Sequence, residues 1–147
     1  LLITEAVEKP GNLGAILRTA DGSGADAVLI CDPRVDIFNP NVIRASLGTV
    51  FTKQVVTAPN SDVYDFLQKH SITAYGALLS SESAVYTSKN YTTASAFVLG
   101  TEHDGLSDFW KDRCVPIQIP MLGKNDSLNV SVAAAVLAYE AVRQREL

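Results

Sequence analysis

The sequence predicts a single α/β domain built on a mainly parallel sheet flanked by helices, and three observations carry that prediction. Short apolar runs without polar alternation, "AVLIC" (27–31) and "AFVLG" (96–100), have the character of strands covered on both faces. Stretches of helical spacing separate such runs, so strand and helix alternate along the chain, with roughly six strands in all. The length of 147 residues supports one hydrophobic core and is too short to divide comfortably into two.

The elements follow in order. "LLITEAV" reads as a strand already under way at residue 1, so upstream residues are expected. After "KPGN", with Asn12 as the expected cap, Leu13, Ile16, Leu17 and Ala20 share one helical face. "GSGAD" ends that helix, and "AVLIC" is the next strand. "NPNVIRASLG" forms a short helix, capped by Asn39 or Asn41 and stopped at Gly48. "VFTKQVVT" is β-branched and strand-like. In "NSDVYDFLQKH" the Asn/Ser/Asp opening offers caps, and Val63, Phe66 and Leu67 face inward together. "SITAYGALL" is a strand; "SSESAVYTSKNYTTAS" is irregular, with room for one short helix. "AFVLG" is a strand, "LSDFWKDR" a short helix from Ser107, and "CVPIQIP" the last strand.

The final helix is entered through "GKNDSLNVSVAAAVLAYEA". Leu128, Val132, Ala135, Val136 and Tyr139 form one stripe; Val130, Ala133, Ala134, Leu137 and Ala141 form another. Such a helix is expected to be buried all round, by its own sheet on one side and by another subunit on the other. Asn125, Asp126 and Ser127 supply caps. Asn129 and Ser131, placed in the first turn, are expensive to bury unpaired and are expected to bond either to backbone or to a bound molecule.

Composition narrows the function classes. A formal charge of −4, from 12 basic and 16 acidic residues, argues against holding nucleic acid by bulk electrostatics alone. No apolar run reaches membrane-spanning length, so a soluble protein is expected. Cys31 and Cys114 have no C-x-x-C or Cys/His spacing; reduced, packed thiols, no zinc site and a cytoplasmic location are the expectation.

Three loops carry unusual chemistry. In "EKPGNLGAILRTAD", Gly14 removes a side chain where backbone or ligand approaches closely, and Arg18 lies one turn on, ringed by apolar residues. Its guanidinium either snorkels to solvent or meets an anion such as phosphate. In "FVLGTEHDGLS" the chain turns sharply at Gly100 and Gly105, lifting Glu102 and His103 at the sheet's edge. Glu102 suits hydrogen bonds from a ribose or an amine, and His103 is either an acid–base group or a solvated turn residue. The third loop, "IQIPMLGKNDSLN", leaves the last strand with an apolar edge and bends at Gly123. The glycines match neither a dinucleotide fingerprint nor a P-loop, and His70 ends a helix, where its charge suits the dipole.

Together these segments resemble the SpoU (TrmH-like) family of the SPOUT methyltransferases. The first family motif is similar to "PGNLGAILRTADGSGADAVLI", the second to "VLGTEHDGLS" and the third to "IPMLGKNDSLNVSVAAAVLAYEAVRQ", with "RASLGTVF" matching a further family segment. The resemblance spans essentially all of residues 1–147 as one SpoU-type catalytic domain, with an N-terminal RNA-binding extension expected beyond it. It implies an α/β knot fold with a C-terminal deep trefoil knot, and an S-adenosylmethionine-dependent enzyme that methylates a ribose 2′-hydroxyl of tRNA or rRNA. It implies a homodimer packed through the knot region and the final helix, with no metal.

Carried over position by position, the resemblance assigns the methyl donor to Leu78, Leu79, Gly100, Ile119, Met121, Ser127 and Leu128. It assigns catalysis to Arg18, Glu102 and Asn129, and substrate contacts to Asn12, Arg18 and His103. His103 itself departs from the family pattern, which often has glycine there. An arginine is a poor general base, so Arg18 is expected to anchor substrate phosphate and to acidify the nucleophile by its charge. The competing readings are a non-catalytic RNA- or cofactor-binding protein of the same fold and a doubly wound nucleotide-binding enzyme.

Overall fold

The computed structural model describes residues 1–101 and 103–145. Among the described residues seven strands form one sheet: β1 (Leu2–Glu5), β2 (Ala27–Cys31), β3 (Gln54–Thr57), β4 (Thr73–Ala77), β5 (Ala84–Val85), β6 (Ser95–Leu99) and β7 (Val115–Gln118). The order across it is β3-β2-β1-β6-β4-β7-β5, and every pair is parallel. The helices are α1 (Pro10–Gly22), α2 (Pro40–Ala45), α3 (Asn60–Lys69), α4 (Asp108–Lys111) and α5 (Val130–Gln144). One strand more than expected appears because β5, two residues long, lies within the polar segment read as irregular.

The central strands are buried end to end because both faces are covered. Leu2 faces a core with Leu13, Ile16 and Leu17 of α1 and Leu137 of α5, whereas Ile3 faces Val63 and Leu67 of α3 and Trp110 of α4. α1 and α5 thus pack together on one side of the sheet, and α3 and α4 cover the other. The expected face of α1 is buried in full. Gly14 stands where α1 meets α2: a β-carbon there would lie 2.5 Å from Ala45 Cβ and 2.9 Å from the Ser46 amide nitrogen. The helices approach closely because nothing projects at that point.

Several local expectations change. Asn12 lies in the first turn of α1, which Lys9 caps with Pro10 at its first position. Pro59, not the Asn/Ser/Asp triplet, precedes α3; Asn60 is drawn away into a buried network described below. Phe66 faces solvent and packs on the His70 ring, centroids 4.6 Å apart, while Val63 and Leu67 go inward. The segment before β3 begins as a 3₁₀ turn, Thr49–Phe51, rather than as strand. Asn39 caps α2 by accepting from the Asn41 amide, as expected.

Within this chain α5 is buried on one side only. Val130, Ala134, Leu137, Ala138 and Ala141 are covered, whereas Val132 is 47% and Tyr139 50% exposed. Its far end is clamped to the loop before β6. Gln144 accepts from the Tyr91 amide and donates to the Lys89 carbonyl, and Arg145 donates to the Tyr91 and Thr93 carbonyls.

The strand order has one topological consequence for the site. β4 and β5 flank β7 on opposite sides, so segment 78–83 crosses over β7. Ser83 ties that crossing down: its hydroxyl donates to the Leu78 carbonyl, and its own carbonyl accepts from Gln118 Nε2.

Candidate functional site

A cavity of about 600 Å³ opens where segment 78–83, the loop after β6 and the loop after β7 converge at the carboxyl ends of their strands. This is the position at which open parallel sheets collect ligands. Leu99, Ile117, Val130 and Leu137 line it from the core, and His103, Asp104, Lys111, Gln118 and Asp126 bring polar groups to it. Apolar walls with a few polar groups suit a heterocycle attached to a charged tail.

The seven positions expected to hold a methyl donor, Leu78, Leu79, Gly100, Ile119, Met121, Ser127 and Leu128, all line this one cavity. They come from three loops separated by tens of residues, so their convergence is a product of the fold. His103 lines it too. Glu102, expected to be catalytic, lies outside the described residues.

The glycine corner has a specific cause. Thr101 and Gly105 exchange backbone hydrogen bonds of 3.0 and 3.2 Å, closing a tight turn in which Gly105 adopts φ +67°. A β-carbon on Gly100 would lie 2.1 Å from the Gly105 carbonyl oxygen. Gly100 is therefore required by the turn folded back upon it, whatever the cavity holds.

The corner is anchored from below by a network that the sequence does not announce. Glu5, buried at the end of β1, accepts from the Ser107 amide at 2.8 Å, the Ser107 hydroxyl at 2.6 Å and Asn60 Nδ2 at 2.7 Å. Asn60 Oδ1 in turn accepts from Trp110 Nε1 at 2.7 Å. A buried carboxylate is tolerated because donors satisfy it, and here those donors fix the exit of the cavity loop and the start of α4. The one local signal is an acidic residue at the end of a short strand that opens with Leu2 and Ile3.

The third loop differs from expectation at its polar cluster. Asn129 is itself the N-cap of α5, accepting from the Ser131 amide at 2.9 Å and the Ser131 hydroxyl at 2.7 Å, and it is exposed. The expectation of Asn129 in the first turn is thereby corrected to the cap position, and of the two partners expected for it, backbone or a bound molecule, it takes the backbone. Asp126 and Ser127 remain in the loop, hydrogen-bonded to one another, and do not cap. Asn129 Nδ2 also donates to Asn12 Oδ1 at 3.1 Å, joining the first and third loops.

Arg18 is placed apart. It is exposed on α1 and does not line the cavity. Neither cysteine supplies a nucleophile. Burial, reinforced by Glu5 and Asp32, pushes the Cys31 thiol up to about 12, and burial pushes Cys114 up to about 11. Both are free thiols, as expected. Among the described residues no group of His, Cys, Asp and Glu is arranged to hold a metal ion, and no helix is long and apolar enough to cross a membrane.

Comparison with known proteins agrees with this geometry. The chain is 39% identical over 147 residues to a 23S rRNA (guanosine-2′-O-)-methyltransferase RlmB of Pectobacterium atrosepticum, covering 99% of this chain and 60% of that relative. Among solved structures, an RNA 2′-O ribose methyltransferase superposes with a TM-score of 0.87 at 43% identity, over 100% of this chain and 57% of the other. The SpoU methyltransferase AviRb of Streptomyces viridochromogenes, solved in complex with AdoMet, gives 0.91 at 29% identity, over 98% of this chain and 59% of the other. The chain thus spans little more than half the length of these relatives. The shared architecture is the α/β knot fold, which implies the C-terminal trefoil knot, in keeping with the crossing of segment 78–83 over β7. With the SpoU rRNA Methylase family model matching residues 1–139, and with its three motif segments gathered at one end of the sheet, the chain belongs to that family.

Proposed function

We propose that this chain is the catalytic domain of an S-adenosylmethionine-dependent RNA methyltransferase that modifies a ribose 2′-hydroxyl of tRNA or rRNA. The observation that carries the reading is the convergence of all seven donor-binding positions on one cavity. The residues present fit the group: Leu78, Leu99, Ile119 and Leu128 offer apolar surface for an adenine, and Asp104, Asp126 and Ser127 offer polar partners for a ribose and an amino-acid tail. When bound, S-adenosylmethionine supplies an electrophilic methyl group.

The chain's own residues bind, orient and exclude water. The ribose oxygen must approach in line with the methyl group, which requires a fixed substrate and a dry wall. Leu78, Leu79 and Met121 supply that wall. Arg18 anchors substrate phosphate and, by its charge, eases loss of the 2′-hydroxyl proton. Asn12 and Asn129, hydrogen-bonded together, hold the first and third loops in register, and His103 stands at the cavity to meet RNA. Glu102 is proposed to orient substrate beside it.

The domain is further proposed to work in the cytoplasm as a homodimer, packed through the knot region and α5. The outward-facing Val132 and Tyr139 of α5, with Leu122 nearby in sequence and almost fully exposed, support this. A dimer also gives a reason for Arg18 to lie away from the cavity of its own chain, since a second copy can be offered it.

A methyl-transfer assay with bulk tRNA and rRNA tests the proposal, and incorporation into ribose is the expected result. RNA binding without incorporation would favour a non-catalytic protein of this fold. Calorimetric titration separates the remaining rival: S-adenosylhomocysteine should bind where NAD does not.

A further inference from the structure

Phe38 follows β2 in the loop leading to α2, and Phe51 ends the 3₁₀ turn before β3. Their rings stack with centroids 5.9 Å apart and planes 14° from parallel. Yet Phe38 is 55% and Phe51 62% exposed, and Leu47 between them in sequence is 71% exposed. Two aromatic rings that cover each other while staying open to solvent present flat apolar faces outward.

The backbone holds those faces still. Asp36 Oδ1 accepts from the Phe38 amide at 2.9 Å, the Phe51 amide donates to the Gly48 carbonyl at 3.0 Å, and Leu47 and Gly48 both adopt positive φ. Positive charge lies close along the chain. Arg44 is exposed and donates to Asn41 Oδ1, and Lys53 follows the turn. Arg34 is neutralised by Asp32 at 2.9 Å, which leaves Arg44 and Lys53 against Asp36 in a chain whose total charge is −4. Between the two phenylalanines, α2 packs onto α1 at Gly14, one turn before Arg18.

We propose that the Phe38–Phe51 pair is a stacking platform for an unpaired base of the RNA substrate, with Arg44 and Lys53 tracking the adjoining phosphates. The inference rests on the reading of RNA as substrate. Flat π-faces with cations a few residues away in the chain match a nucleobase and its phosphate, the pairing by which proteins hold single strands without reading sequence. A second copy of the chain is the other occupant such a patch could take, and a change in oligomeric state on substitution would reveal it. Preorganised rings lose little freedom on binding.

The test is the affinity of a short, unstructured, fluorescein-labelled RNA for the chain and its variants, read by anisotropy. Sedimentation and S-adenosylhomocysteine calorimetry on the same samples serve as controls. Replacing both rings, Phe38→Ala with Phe51→Ala, should weaken RNA binding roughly ten- to hundredfold. Phe51→Trp should retain it, and cofactor affinity and oligomeric state should not change. Arg44→Ala should lower the salt dependence by about one phosphate contact. RNA bearing 4-thiouridine should crosslink to a peptide containing Phe38 or Phe51 in the unmodified chain, a readout independent of variant folding. RNA binding that ignores the double substitution, or crosslinks confined to other peptides, overturns the platform alone. A change in oligomeric state assigns the patch to a protein interface and overturns it too. Absence of RNA binding by the unmodified chain overturns the substrate reading and the platform together.

Discussion

Glu5 and Ser107, 102 residues apart in the chain, are joined twice: one carboxylate oxygen accepts from the Ser107 amide and the other from its hydroxyl. This contact ties the floor of the sheet to the loop that lines the cavity. Glu5→Leu removes the acceptor for three buried or half-buried donors, and the expected loss is about 2–5 kcal/mol of folding stability. Urea unfolding followed by Trp110 fluorescence checks it, since the indole is fixed through Asn60. Cofactor affinity should fall with stability; unchanged stability and affinity would show that the network is dispensable.

Arg18→Ala should leave S-adenosylhomocysteine binding intact while removing most turnover, because Arg18 does not line the cavity. Arg18→Lys should recover part of the rate, as a cation without the planar fork still meets phosphate. Parallel loss of binding and turnover would assign Arg18 a structural role.

For Asn129→Ala the expected loss is about 1 kcal/mol, the worth of a helix N-cap, with a further change in the first loop through Asn12. Thermal melting and calorimetry measure it. Asn129→Asp keeps the accepting oxygen and should restore stability without restoring the contact to Asn12.

Val132→Asp with Tyr139→Asp charges the outward stripe of α5 and should convert the proposed dimer to monomer, as sedimentation would report. Both positions are about half exposed in the single chain, so the monomer should remain folded. A native sample that is already monomeric would overturn the dimer.

The two cysteines predict an alkaline limit. Their folded values are raised, to about 12 for Cys31 and about 11 for Cys114, above the ordinary thiol value of 9.0. The folded state therefore keeps its protons where the unfolded chain loses them. Their stabilisation is complete below the unfolded value and is lost as pH rises through the window from 9.0 to about 12. At pH 8 iodoacetamide should modify the native protein about a hundredfold more slowly than the unfolded chain. Equal rates would mean an exposed thiolate.

The sequence was most legible where one local pattern determined the outcome. Both-sided burial marked "AVLIC" and the strand ending at Leu99, and helical spacing marked the inward face of α1. It was less legible where helix register decided the role. Asn129 was displaced from cap to first turn because three other capping residues precede it. Phe66 was turned inward by its spacing, although Val63 and Leu67 suffice to cover that face. Least visible were Glu5 and Asn60, whose partners are distant in the chain and leave no periodic trace. The donor-binding positions came from resemblance to a family, and only the folded chain brings them around one cavity.

The slot between β4 and β5 has a consequence for synthesis. Both of its banks are translated before β7, the strand that fills it, and β5 pairs with β7 alone. The sheet can therefore close at that edge only once β7 reaches both β4 and β5, a non-local closure that slows folding. A ribosome stalled near residue 110 would carry a sheet with an open seam and no receptacle for the methyl donor, so ligand cannot assist the early stages of maturation.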